Sequence, residues 1–136
     1  FRRVLFRSAF EQVCLHHIKQ IKWALGIDGV QTSVCSWATL PSIDADGKRR
    51  EGAQIDLVID RRDQTINLCE MKFSMKPFEI TPSYLEHIVS RRELFREVTG
   101  TNKALHLTFV TTYGLVKNAQ YGMIQSEVTM DDLFKY

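Results

Sequence analysis

The chain has 136 residues, 44% of them hydrophobic and 25% charged, enough for one domain around a single core and too few for two ordinary ones. The formal net charge is +2. These figures are those of a soluble globular domain: no apolar run approaches the roughly 18 to 20 residues of a membrane span, and the arginine-rich start has no apolar core or cleavage site of a secretory leader, so the cytoplasm is the expected compartment.

In chain order, the first eight residues, FRRVLFRS, are anomalous. Written back into codons as TTC AGA CGT GTG CTC TTC CGA TCT, they match a widely used short-read sequencing adapter. Residues 1–8 are therefore expected to be foreign, with the reading frame cut upstream, and 9–136 is the domain. Without Arg2, Arg3 and Arg7, 15 basic residues face 16 acidic ones and the formal charge becomes −1. Net charge then says nothing for nucleic acid, and any basic surface must be a local patch.

Phe10, Val13, Cys14, Ile18, Ile21 and Leu25 recur at helical spacing, which predicts one amphipathic helix over about 9–25, closed by Gly26. VQTSVCSWA, from Val30 to Ala38, is strand-like. In the polar stretch that follows, Asp46-Gly47 marks a tight turn. Strands are expected at about 53–60 and 65–73. Pro77 and Pro82 then break the chain before a second helix, about 82–98, which Gly100 ends. ALHLTFVTTY, from Ala104 to Tyr113, is the most strand-like run, and a short strand at about 123–129 leads to a last turn capped by Thr129. The order α β β β α β β predicts an α/β domain with a central mixed sheet and a helix on each face. Cys14, Cys35 and Cys69 are widely spaced, without a CxxC pair, and read as reduced thiols and not as a zinc site.

The two strands in GAQIDLVIDRRDQTINLCEMK carry the chemistry. A hairpin loop centred on Asp63 pairs Asp60 with Ile66, Val58 with Leu68, and Asp56 with Glu70, whereas a two-residue turn would pair Asp56 with Cys69 and send Glu70 to the opposite side. Alternation then puts Lys72 on the face of Asp56 and Glu70, while Ile55, Leu57, Ile59, Cys69, Met71 and Phe73 line the other. Two carboxylates at cross-strand distance repel unless a cation lies between them. Such hard oxygen donors suit Mg²⁺ or Mn²⁺, with the Met71 carbonyl as a further ligand, and the corresponding chemistry is phosphodiester hydrolysis with Lys72 beside the reacting water. Gln54, two residues before Asp56, is placed to bind a ligand water. Candidate phosphate contacts are Lys48, Arg49 and Arg50, the loop residues Arg61 and Arg62, and Arg91, Arg92 and Arg96 of the second helix. Tyr84, Phe73, Phe78, Trp23 and Trp37 read as packing groups.

QIDLVID followed by INLCEMK resembles the motif of the PD-(D/E)xK nuclease superfamily, and the element order resembles that superfamily's restriction-endonuclease-like core. The resemblance implies Asp56, Glu70 and Lys72 as catalytic residues, Asp56 and Glu70 as metal ligands, and Glu11 as the acid often found on the first helix. Ile55 stands where a proline usually precedes the first acid. From AFEQVCLHHIKQIKWALGI to DDLF, about 9–134, the chain is similar to the C-terminal domain of bacterial P-loop ATPases of the archaeal-ATPase type. That similarity implies an upstream AAA-like ATPase domain as partner and DNA as substrate; no Walker motif occurs in this chain. Two other readings remain open: a catalytically idle DNA- or protein-binding module that regulates such an ATPase, and an α/β interaction domain in which the acids form a solvated salt bridge.

Overall fold

A computed structural model of the chain describes residues 8–135; Phe1 to Arg7 of the expected foreign segment lie outside the described residues, as does Tyr136. Helix α1, Ala9–Leu15, starts at a reciprocal cap: the Ser8 hydroxyl accepts from the Glu11 amide at 3.1 Å, and the Glu11 carboxylate accepts from the Ser8 amide at 2.9 Å. The single helix expected over 9–25 is two helices. α1 stops at Leu15 and α2 runs Ile18–Ala24, because His17 takes a non-helical φ of −125° and ψ of 32° while its Nδ1 lies 2.6 Å from the Val13 carbonyl. The bend leaves Phe10, Cys14 and Ile21 all buried in one core cluster, so the apolar period runs through a break it cannot report.

Strand β1 is Thr32–Thr39, the short β2 (Ser42–Ile43) and β3 (Arg49–Arg50) form a hairpin around Asp46-Gly47, and β4 (Ala53–Arg61) and β5 (Thr65–Lys72) follow. Helix α3, Pro82–Thr99, is capped by the Thr81 hydroxyl, takes its proline in the first turn where no amide is needed, and ends at Gly100 with φ +69°. It connects β5 to β6, Ala104–Thr111. The expected strand at 123–129 is shorter: Ala119–Met123 is a 3₁₀ turn capped by Asn118, and β7 is Ser126–Thr129. A last helical turn, α4 (Met130–Leu133), follows.

The five-stranded sheet has the order β1-β4-β5-β6-β7, antiparallel through the first three strands and parallel from β5 to β7. Helices α1 and α2 cover one face, where Phe10, Cys14 and Ile21 cluster with Leu57, Ile59, Cys69, Val110 and Val128. Helix α3 covers the other, with Phe95 among Ile55, Val58, Ile66 and Leu68, and Ile88 among Leu107 and Phe109. The protein is thus an α/β domain with a mixed central sheet flanked by helices, consistent with a restriction-endonuclease-like core. Among the described residues, no helix is long and apolar enough to cross a membrane.

The β4–β5 register is the one expected: Asp60 pairs with Ile66, Ile59 with Asn67, Val58 with Leu68, and Leu57 with Cys69. A three-residue loop closes it, with Gln64 in the left-handed region at φ 66°. One expected facing is overturned. Ile55 does not share the face of Leu57 and Ile59; it packs with Val58, Ile66 and Leu68. The reason is a bulge in the pairing with β1: Cys35 opposes Val58 and Trp37 opposes Ile55, so Asp56 and Leu57 together face the single residue Ser36.

Candidate active site

The bulge sits where the β4–β5 ladder gives out. Its last pair is Leu57–Cys69; the expected Asp56–Glu70 pair is not part of the ladder, and the two acids lie beyond its end, at the mouth of the hairpin. At this end of the sheet a polar cleft of about 490 Å³ opens between the start of α1 and the first turns of α3. Glu11 of α1, Gln54 and Asp56 of β4, and Glu70, Met71 and Lys72 of β5 line it, with Tyr84, His87 and Arg91 of α3 opposite. The structure therefore brings Asp56, Glu70, Lys72, Met71 and Glu11, expected from the sequence to act together, to one cavity.

Their electrostatics differ from residue to residue. Glu11 is partly buried, and that burial, together with its hydrogen bond to the Asp56 side chain, raises its pKa above the ordinary 4.5. The same carboxylate closes the Ser8 cap while lining the cleft. On the other side of Asp56, Gln54 donates from Nε2 at 2.5 Å, leaving its own Oε1 buried and without a hydrogen-bond partner. A buried acceptor with no donor is costly, and beside a carboxylate it fits a water held on a cation. Glu70 forms an ion pair with Arg91, both side chains only about 15% exposed. The Lys72 ammonium lies over the Tyr84 ring, 5.0 Å from its centre. Burial pushes the Tyr84 phenol up to about 12, so the ring stays neutral beneath that charge.

Among the described residues, no three histidine, cysteine or carboxylate side chains stand together as a ready ligand set. Glu70 turns to Arg91, while Glu11 and Asp56 meet each other. The donor chemistry nevertheless fits a hard divalent cation: carboxylates from three elements, one like-charged pair in contact, and an orphaned amide oxygen beside it. The cleft can hold such an ion and an anionic group near two cationic side chains.

The expected basic contacts divide. Arg91 enters the cleft, where its Nη1 donates to the Gln54 carbonyl at 2.9 Å and its Nη2 meets Glu70. Arg92 pairs with Glu93 on the next helical position. Arg61 and Arg62 lie at the hairpin end, about 17 Å along the strand from Asp56. There Arg61 holds Asp63 through two hydrogen bonds, at 2.9 and 2.7 Å, and Asn67 through a third, while Arg62 borders a separate pocket with Asp60 and Lys103. Arg96 donates to the Thr101 and Lys103 carbonyls and secures the end of α3. Arg50 pairs with Glu97 at 2.7 Å.

His87, which no sequence motif singles out, also lines the cleft; its ring stacks on Tyr84 with centres 6.4 Å apart. A signal was present. Tyr84, His87 and Arg91 fall at i, i+3 and i+7 of one helix and form a single stripe.

No family model matches the chain, and no curated protein matches it. Among solved structures it is similar to the crystal structure of a protein of unknown function, AF1548, at a TM-score of 0.55 and 14% sequence identity. The similarity covers 94% of this chain and 66% of that one, just under two thirds of its length. At that identity the likeness supports the α/β fold alone.

Proposed function

We propose that the chain is a metal-dependent nuclease domain that hydrolyses DNA phosphodiester bonds with Mg²⁺ or Mn²⁺, and that it forms the C-terminal part of a larger ATP-binding protein. The observation that carries this reading is the meeting of Glu11, Asp56, Glu70 and Lys72 in one polar cleft beside the unpartnered Gln54 amide oxygen. Asp56, Glu70, Glu11 and the Met71 carbonyl are the groups to hold the ion. When bound, it supplies a lowered pKa to a coordinated water and counter-charge to the phosphate. Lys72 offers N–H donors to orient that water or to meet charge developing on phosphate oxygens. The ring of Tyr84 holds the ammonium at the cleft wall without neutralising it. A cytoplasmic location goes with this reading, as do the free thiols of Cys14, Cys35 and Cys69. The upstream ATPase partner rests on the resemblance of residues 9–134.

Calorimetric titration of the chain with Mn²⁺, beside an Asp56→Asn, Glu70→Gln double variant, tests the site. Binding by the wild type that the variant loses is expected. Incubation with duplex and single-stranded DNA in Mg²⁺ is expected to give cleavage that Lys72→Ala abolishes while Mn²⁺ binding persists. Absence of Mn²⁺ binding by the folded wild type and by a folded Arg91→Gln variant alike overturns the reading.

One observation favours the second reading, an idle binding module: the ion pair that commits Glu70 to Arg91. In that case DNA or the ATPase domain binds equally with and without divalent cation, and no cleavage accompanies binding.

A further inference from the structure

The geometry points to a specific role for Arg91: it is the built-in counter-ion of the cleft, holding Glu70 while no divalent cation is bound and releasing it when one arrives, so that the freed guanidinium edge then faces the anionic substrate. The inference rests on the metal-site reading above. It adds a residue on α3 that the hairpin motif does not contain.

Arg91 reaches across two strands. Nη1 donates to the main-chain carbonyl of Gln54 on β4, and Nη2 meets the Glu70 carboxylate on β5. The two anchors differ in kind. A backbone carbonyl inside the sheet is fixed, whereas a glutamate side chain turns about three torsions. A planar guanidinium held at Nη1 therefore keeps its place when Glu70 turns toward a cation, and presents Nη2 to the cleft in the same motion.

Charge makes the exchange necessary. Glu11, Asp56 and Glu70 share a cavity with Lys72 and Arg91 as the cationic side chains lining it, and Lys72 rests over the Tyr84 ring. The Arg91 and Glu70 side chains are 15% and 16% exposed, so solvent screens them little. A carboxylate in such a pair is not an available ligand, and an incoming cation must displace the guanidinium from it. Cation and arginine are then competitors for one acid, and the coupling is reciprocal.

Mn²⁺ titration of the full chain as wild type, Arg91→Gln, Glu70→Gln and the Arg91→Gln, Glu70→Gln pair tests the exchange. Competition predicts that Arg91→Gln binds Mn²⁺ about tenfold more tightly than wild type, and that the gain vanishes in the Glu70→Gln background. A merely structural arginine would not give that dependence on Glu70. Arg91→Lys retains the charge without the fork; a smaller gain is expected, and this variant carries the test if Arg91→Gln fails to fold. Equal or weaker Mn²⁺ binding by a folded Arg91 variant, with the wild type binding, overturns the exchange and leaves the metal site standing. No binding by wild type or any folded variant overturns the metal site, and the exchange with it. Binding by Arg91→Gln alone supports the exchange in its strongest form.

Discussion

Glu11 serves two demands at once. Its carboxylate accepts from the Ser8 amide at the start of α1 and meets Asp56 across the cleft, and burial with that contact raises its pKa. Glutamine meets the first demand as well as glutamate does, since its amide oxygen accepts the same bond. Glu11→Gln is therefore expected to leave the metal-free protein as stable as wild type at neutral pH or slightly more so, by removing a like charge from beside Asp56, while Mn²⁺ binding weakens. Chemical denaturation paired with calorimetry checks both signs; a loss of more than about 1 kcal/mol in the metal-free state would make the charge itself structural. That Asp56, Glu70 and Lys72 line one cleft was legible from the loop centre and the register it sets, although the ladder ends one pair short of the two acids. Arg91's partner was not legible, because the helix period names a stripe and only the docking of α3 on the sheet tells which residues that stripe meets.

Local elements separate in the same way. Hairpin register, the capped start of α3 and its glycine stop follow from short-range chemistry, and the structure has each of them. The break at His17 and the bulge at Asp56-Leu57 do not: the apolar period runs on through the first, and the second lies in the pairing with β1, a strand distant in the chain. The terminal turn α4 shows how a small element is secured. The amide and hydroxyl of Thr129 both donate to Asp132, at 3.0 and 3.3 Å, and Lys135 approaches the same carboxylate at 3.3 Å. Burial pushes the Asp132 carboxyl up, but these partners outweigh it and hold its pKa below the ordinary 3.8. A lowered folded-state value means the ionised form favours folding. Its contribution is complete above pH 3.8 and drains as pH falls through the lowered value. Asp132→Asn is expected to cost roughly 0.5 to 1 kcal/mol at neutral pH and to cost progressively less in acid. Denaturation curves at pH 7 and below pH 3 measure it, and a cost unchanged by pH would locate the effect in shape instead of charge.

Across the molecule, the far end of the chain closes the core that supports the site. Leu133 is fully buried in the cluster that contains Leu57 of the bulge, Cys69 beside Glu70, and Phe10 beside Glu11. Leu133→Ala is expected to destabilise the fold by about 2 to 4 kcal/mol and, if the cleft depends on that support, to weaken Mn²⁺ binding at temperatures well below unfolding. Urea unfolding and Mn²⁺ titration at low temperature separate the two effects. The α/β class, the five strands of the main sheet, the β4–β5 register and the approach of Asp56, Glu70 and Lys72 to one cleft were readable from the chain, because they depend on periodicity and neighbouring residues. Strand order, the switch from antiparallel to parallel pairing at β5, the two-helix form of the N-terminal segment and the Arg91–Glu70 contact were settled only in three dimensions, where residues far apart in the chain compete for the same space and charge.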